Sequence, residues 1–221
     1  MSIERNVIEL KDELTDDISI IAVTKTRNVE EINQCYDMGL RDFGENKVQE
    51  LLSKVDHFGD DVRWHLIGHL QRNKVKSIVG KVFSIQSLDS ISLLNEIEKR
   101  YAEKGIVAKT LIEVNVGEEE NKTGLLLKDL NPLIAAIECC SNVKVCGLMS
   151  VIPKGDERSC REYFRKVKWL YDDISTSNYK NINMDILSMG MSNDYKYAIL
   201  EGSNMIRIGE GIFGKRINNN K

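Results

Sequence analysis

Apolar positions along this chain switch repeatedly between two periods. Over residues 2–14, Ile3, Val7, Leu10 and Leu14 recur at helical spacing. ISIIAVTKT (18–26) follows as a short, β-branched strand. Asn28 with Glu31 reads as a capping box, with Val29, Ile32 and Tyr36 on the buried face and Gly39 at the C′ position. The alternation then continues. RDFGEN (41–46) precedes a helix through VQELLSKV (48–55), and RWHLIG (63–68) precedes the basic segment QRNKVKSIV (71–79). KVFSIQS (81–87) leads to a helix capped by Asp89, with Ile91, Leu94, Ile97 and Tyr101 on one face. AKTLIEVNVG (108–117) is followed by a helix over 130–140, and VKVCGLMS (143–150) by a long helix over 156–174 bearing Tyr163, Val167 and Leu170. MDILSMG (184–190) leads into SNDYKYAILEG (192–202), and NMIRIGEGIFG (204–214) closes the series.

Eight buried-type strands, each followed by a helix or helical turn, predict a parallel sheet, and eight such units close a barrel. The expected fold is α/β: a single (β/α)8 TIM barrel with an extra N-terminal helix, one unit over residues 1–221, ending in a frayed tail RINNNK (216–221). An open doubly wound sheet is the alternative. The chain has no GxGxxG after its first strand, which argues against the dinucleotide-binding version.

Composition narrows the class. With 221 residues, 42% of them hydrophobic and 29% charged, the chain can bury a core without staples. No apolar run reaches the length of a bilayer span, and the charged, amphipathic start is not a secretory signal. Five cysteines without metal-type CxxC spacing point to reduced thiols, a cytoplasmic location and no metal site. A net charge of −3 gives no footprint for nucleic acid or anionic membrane.

In a barrel, chemistry sits where strands end. Strand alternation puts Ser19, Ile21, Val23 and Lys25 on one face. If that face points inward, Lys25 stands over an apolar floor, where desolvation turns an amine into a nucleophile for carbonyls. Periodicity also admits a solvated lysine beyond the strand. In MIRIG, Met205, Arg207 and Gly209 face inward, and a buried guanidinium must find acceptors. A structural pairing of Arg207 with Glu113 or Asp185 stays open at this stage. GEGIFG (209–214) and LSMGMSND (187–194) are the loops after strands eight and seven, where barrels hold phosphate. A nucleophilic lysine, an inward arginine and a phosphate cup together suggest pyridoxal 5′-phosphate (PLP). His65 is read as a structural imidazole and His57 as a surface residue; His69, in the loop after the third strand, has the reach of the mouth but is read as carrying no function, and the run Arg72, Lys74, Lys76 as a solvated face.

AVTKT (22–26), FGENKVQE (43–50), WHLIGHLQRNK (64–74), NKTGL (121–125), GLMSVIP (147–153), LSMGMSND (187–194) and RIGEGIFG (207–214) resemble, in order, the pyridoxal phosphate homeostasis family, also described as alanine racemase N-terminal-domain-like proteins. The resemblance covers nearly the whole chain. It implies a barrel with PLP held as a covalent aldimine on Lys25, Arg207 at the ring nitrogen, and phosphate contacts from Ser188 and from the backbone N–H groups of Gly209 and Glu210. Asn46 of FGEN is implied to lie beside the cofactor. The departures are small: the family often has alanine for the serine of GLMS and serine for the first threonine of AVTKT.

The resemblance also implies a role. Racemases built on this barrel use a second, β-rich domain of a partner subunit to supply an opposing tyrosine acid/base. The chain ends at Lys221, soon after its eighth strand, so no such domain is expected. An arginine at the ring nitrogen would weaken the electron sink as well. The expectation is therefore a monomeric, non-catalytic PLP carrier that maintains cofactor supply and, indirectly, amino-acid and keto-acid balance, with PLP-dependent apo-enzymes as the recipients. A PLP-dependent racemase or lyase of low activity is the alternative.

Overall fold

The computed structural model describes residues 2–119 and 122–215, so the tail at 216–221 lies outside the described residues. Eight strands close a barrel in chain order: β1 Ser19–Val23, β2 Asp42–Glu45, β3 Arg63–Leu66, β4 Ser84–Leu88, β5 Ala108–Glu113, β6 Val143–Ser150, β7 Ile182–Met191 and β8 Met205–Ile208. All pairings are parallel. Closure runs through β1 and β8, from Ser19 opposite Met205 to Ala22 opposite Ile208. The helices are α1 Ile3–Asp12, α2 Val29–Asp37, α3 Val48–Leu52, α4 Val75–Ile78, α5 Ile91–Ala102, α6 Leu130–Glu138, α7 Glu157–Ser175, α8 Tyr195–Leu200 and α9 Glu210–Phe213. The alternating barrel with its leading helix is the architecture the pattern predicts.

Local chemistry sets the ends of these elements. The Asn28–Glu31 capping box is present at α2 in both directions. Gly39 follows the last turn at φ 83°, a left-handed conformation that costs glycine nothing. At α5 the cap is Ser90 rather than Asp89: its hydroxyl accepts from the Leu93 N–H at 3.3 Å. The segment 204–214 divides into β8 and α9, because beyond Ile208 the Gly209 carbonyl accepts from Phe213 and starts a helical turn.

The core has two compartments. A large shell between strands and helices includes Ala22, Phe43, Ile112, Leu148, Ile206 and Ile208. Ile21, Val23, Leu111, Met149 and Met205 are equally buried but stand apart from that shell, filling the barrel itself. Polar side chains share the interior. His65 is buried between the Ser84 hydroxyl (2.8 Å) and Asp42 (2.9 Å), which makes it a structural imidazole. Gln86 accepts from Ser188 Oγ at 2.8 Å and donates toward the Met205 sulfur at 3.3 Å. Hydrogen bonds thus satisfy His65, Gln86 and Ser188 inside the barrel, whereas Trp64 Nε1 and Ser87 Oγ are buried without a hydrogen-bond partner among the described residues.

Candidate cofactor site

β1 stops pairing at Val23, two residues before the lysine. Thr24 still donates its N–H to the Gly44 carbonyl at 3.0 Å, and the Arg27 N–H turns back to the Thr24 carbonyl at 2.9 Å. Within that turn Thr26 has φ 66°, an uncommon conformation for a β-branched residue. Lys25, between the two threonines, is half-buried and lines a cavity of about 350 Å³. The other walls are Val23, Arg27, Lys154, Met191, Ser192, Asn193, Arg207, Gly209 and Glu210. Four cationic side chains thus face one carboxylate, a balance that favours an anionic occupant.

Arg207 is the buried member. Nη1 donates to the Ser188 carbonyl and hydroxyl oxygens, both at 2.7 Å, and Nη2 donates to the Ser150 carbonyl at 2.8 Å. These acceptors are uncharged, so the pairing with Glu113 or Asp185 left open by the sequence is not what satisfies the guanidinium. Burial pulls Arg207 down to about 10, against the favourable fields of Glu113 and Asp194. It remains a cation, and therefore a pure donor, at neutral pH. Glu113 is held at the end of β5 by the Thr123 hydroxyl at 2.7 Å, and burial pushes its carboxyl above the usual range.

The loops after β7 and β8 meet beside Arg207. Ser192 Oγ accepts from the N–H groups of Gly209 (3.2 Å) and Gly211 (3.1 Å). Asp194 Oδ1 accepts from the Met191 N–H at 2.6 Å and closes the β7 loop. Gly190 at φ 94° is required there, since a Cβ would lie 2.7 Å from that of Ala198. Gly209 is different. A Cβ would meet only ordinary contacts, 3.5 Å or more from Val23, so packing alone does not demand glycine.

Of the six residues singled out by the sequence, Lys25, Arg207, Gly209 and Glu210 share the cavity. Ser188 and Asn46 are not among its lining residues. Ser188 faces inward as alternation requires but one layer lower, fully buried beneath Arg207 and bonded to it and to Gln86. Asn46 sits half-buried just after β2, its backbone so close to Gly68 that a Cβ there would lie 2.4 Å from the Asn46 carbonyl. The sequence reading overlooked Ser192 as an individual residue, although the serine pair of LSMGMSND was the signal for it. It also overlooked Arg27 and Lys154, which sit in turns where periodicity carries no direction. His69 is exposed, with Nδ1 3.2 Å from Asp89. Arg72 and Lys76 are exposed and Lys74 half-buried around a short helical turn.

The model of the alanine racemase N-terminal domain family matches residues 1–216. The pyridoxal phosphate homeostasis protein of Aquifex aeolicus is 44% identical over 199 residues, covering 89% of this chain and 86% of its own length. The Escherichia coli K12 protein of that name is 31% identical over 230 residues, covering 97% of each chain. The chain thus belongs to the alanine racemase N-terminal domain family, and within it to the pyridoxal phosphate homeostasis proteins. The solved structure of PipY from Synechococcus elongatus with PLP bound superposes with a TM-score of 0.89 at 30% identity, over 96% of this chain and 100% of its own. A Clostridium difficile alanine racemase superposes with a TM-score of 0.78 at 14% identity, a likeness of fold. Among the described residues, no helix is long and apolar enough to cross a membrane.

Proposed function

We propose that this protein binds pyridoxal 5′-phosphate in the Lys25 cavity and holds it as a carrier, maintaining cofactor supply within one barrel unit that works as a cytoplasmic monomer and passes PLP to apo-enzymes. The observation that carries the reading is the convergence of Lys25, Arg207 and the Ser192 cup on one electropositive cavity. The residues present fit the group. Its aldehyde carbon is one an amine can hold as a C=N bond with loss of one water. Lys25 Nζ is the amine we assign to it. Arg207, a pure donor held on three uncharged oxygens, faces the ring nitrogen and leaves it able only to accept. Ser192 and the N–H groups from Gly209 to Gly211 hold the phosphate, with Arg27 and Lys154 adding positive charge. Ser188 supports Arg207 from below in this assignment, and Asn46 orders the β2 end beside the mouth.

Holding the cofactor is favoured over turnover by the same geometry. A donor-only partner at the ring nitrogen weakens the electron sink. Among the described residues that line the cavity there is no tyrosine to serve as a second acid/base opposite Lys25. Incubation of the PLP-loaded protein with L-amino acids in deuterated water is expected to give slow Cα–H exchange without racemisation. Racemisation of any amino acid at about 1 s⁻¹ or faster, an ordinary enzymatic rate, would refute the carrier reading.

The two serines of LSMGMSND, one in β7 and one in the loop after it, separate cleanly. Ser192→Ala is expected to weaken PLP binding by about 1–3 kcal/mol, the cost of one hydrogen bond to a charged group, and to leave the affinity for unphosphorylated pyridoxal unchanged. Ser188→Ala instead removes an Arg207 acceptor and the Gln86 donor, so it lowers thermal stability and weakens both ligands together. Titrating both ligands against both variants, with a melting curve for each, measures the difference. If Ser192→Ala spares PLP, the cup is elsewhere.

A further inference from the structure

A buried charged cluster lies on the outer side of the barrel, directly behind Lys25. Glu45 on β2 is fully buried, and Lys54, just past α3, is nearly so. Lys54 Nζ donates to Glu45 Oε1 at 2.6 Å, to Glu50 Oε1 at 3.1 Å and to the Thr24 carbonyl at 2.8 Å. The Thr24 hydroxyl donates to the same Glu45 oxygen at 2.6 Å. The Thr26 N–H donates to Glu50 Oε1. Glu45 Oε2 is buried without a hydrogen-bond partner among the described residues. An ion pair sunk behind a strand in this way is a poor source of stability, because desolvation offsets the attraction. Burial pushes the Glu45 carboxyl upward even with Lys54 and Thr24 beside it. Its placement therefore calls for another account.

Three of the five bonds made by this cluster end on residues 24 and 26, and none is needed to pair β1 with β2. The cluster grips the backbone and hydroxyl of Thr24 before Lys25 and the amide of Thr26 after it. The left-handed turn at Thr26 is a conformation that a β-branched residue adopts only when its surroundings impose it. With both neighbours tied to the outside, alternation leaves Lys25 to face the cavity. We propose that Glu45, Glu50 and Lys54 are positioning residues: they clamp the Thr24–Thr26 turn from outside the barrel and so hold Lys25 Nζ in line for the aldehyde of its ligand. This rests on the reading of Lys25 as the amine that bonds PLP. The residues act through the backbone, and none of them lines the cavity.

Glu50 is the partly exposed member and the one to change. Thr26 amide exchange is measured in the apo-protein, and the rate of borohydride-trappable PLP attachment is measured after loading. In Glu50→Ala, Thr26 exchange accelerates and attachment slows by about tenfold or more, as expected when a reacting group loses its alignment. Noncovalent PLP affinity, measured in the Lys25→Ala background, does not change. Glu50→Gln keeps an acceptor oxygen for Thr26 and attaches PLP at close to the wild-type rate. Adding Thr26→Gly to Glu50→Ala recovers most of the lost rate, because glycine adopts the turn without a clamp. If Glu50→Ala leaves either exchange or attachment unaltered, or if Glu50→Gln slows attachment as much as Glu50→Ala, the clamp is refuted while the role of Lys25 stands. If the trapped label in the wild-type protein sits on another lysine, the Lys25 reading fails, whatever the Thr26 exchange shows.

Discussion

Lys25→Ala is expected to abolish covalent capture of PLP while leaving the fold and a noncovalent affinity intact. The side chain lies beyond the last paired residue of β1, so its removal breaks no ladder hydrogen bond. The threonines on either side keep their ties to Gly44, Glu45, Lys54 and Glu50. Ser192 with the N–H groups it gathers, the proposed phosphate cup, and Arg207 belong to β7, β8 and their loops and share no hydrogen bond with the threonines beside the lysine. Lys154 is the second lysine among the described residues that line the cavity, which makes Lys154→Ala the proper control. The first variant should show the spectrum of the free aldehyde and no pyridoxyl group after borohydride, and the second should keep covalent capture while binding PLP somewhat more weakly for the loss of one positive charge. Trapping that survives Lys25→Ala and disappears with Lys154→Ala would move the covalent link to the loop after β6.

Gly147→Ala is expected to cost about 3 kcal/mol or more, a large fraction of the roughly 5–15 kcal/mol that holds a typical domain folded. Gly147 has φ 148°, and a Cβ there would lie 1.8 Å from the Ile186 carbonyl oxygen. The residue sits where the β6–β7 register shifts, from Val145 opposite Ile182 to Gly147 opposite Ile186. Beyond that point Met149 meets Ser188 and Ser150 meets Met189. This pairing brings the Ser150 and Ser188 carbonyls to Arg207. Prying β6 from β7 therefore strikes the fold and the site together, and PLP affinity should fall alongside stability. Gly105→Ala is the contrast: φ is 65° but a Cβ meets nothing within 4 Å, so only the left-handed backbone cost of roughly 1–2 kcal/mol applies. Urea unfolding of the two variants separates steric from conformational cost, and equal losses would show that the β6–β7 contact yields.

The barrel was legible because most of its strands contain a short apolar run bounded by a turn or a cap, with β2 (DFGE) supplied by the alternation around it, and because Asn28 and Gly39 mark a helix at both ends. The inward direction of Arg207 was legible for the same reason: period two assigns faces without knowledge of the fold. What period two cannot assign is depth. Ser188 and Ser192 belong to one motif, but the β7–β8 register shifts between Ser188 opposite Met205 and Met191 opposite Arg207. That shift leaves Ser188 under the arginine and lifts Ser192 to the mouth. Nor does apolar pattern reveal where pairing stops. AVTKT reads as strand to its end, whereas hydrogen bonding turns the chain at Thr24, and the turn rather than the strand presents Lys25. Arg27 and Lys154 come from turns of this kind. The Glu45–Lys54 pair was invisible because its partners are nine residues apart and meet only when α3 folds back over β2.

The most direct measurement is peptide mapping of the wild-type protein after loading with PLP and reduction with borohydride. The pyridoxyl group is expected on the peptide containing Lys25, at close to one per chain, with no other peptide labelled above the level seen for unfolded protein. A label spread over surface lysines, or concentrated on any lysine other than Lys25, would contradict the site described here.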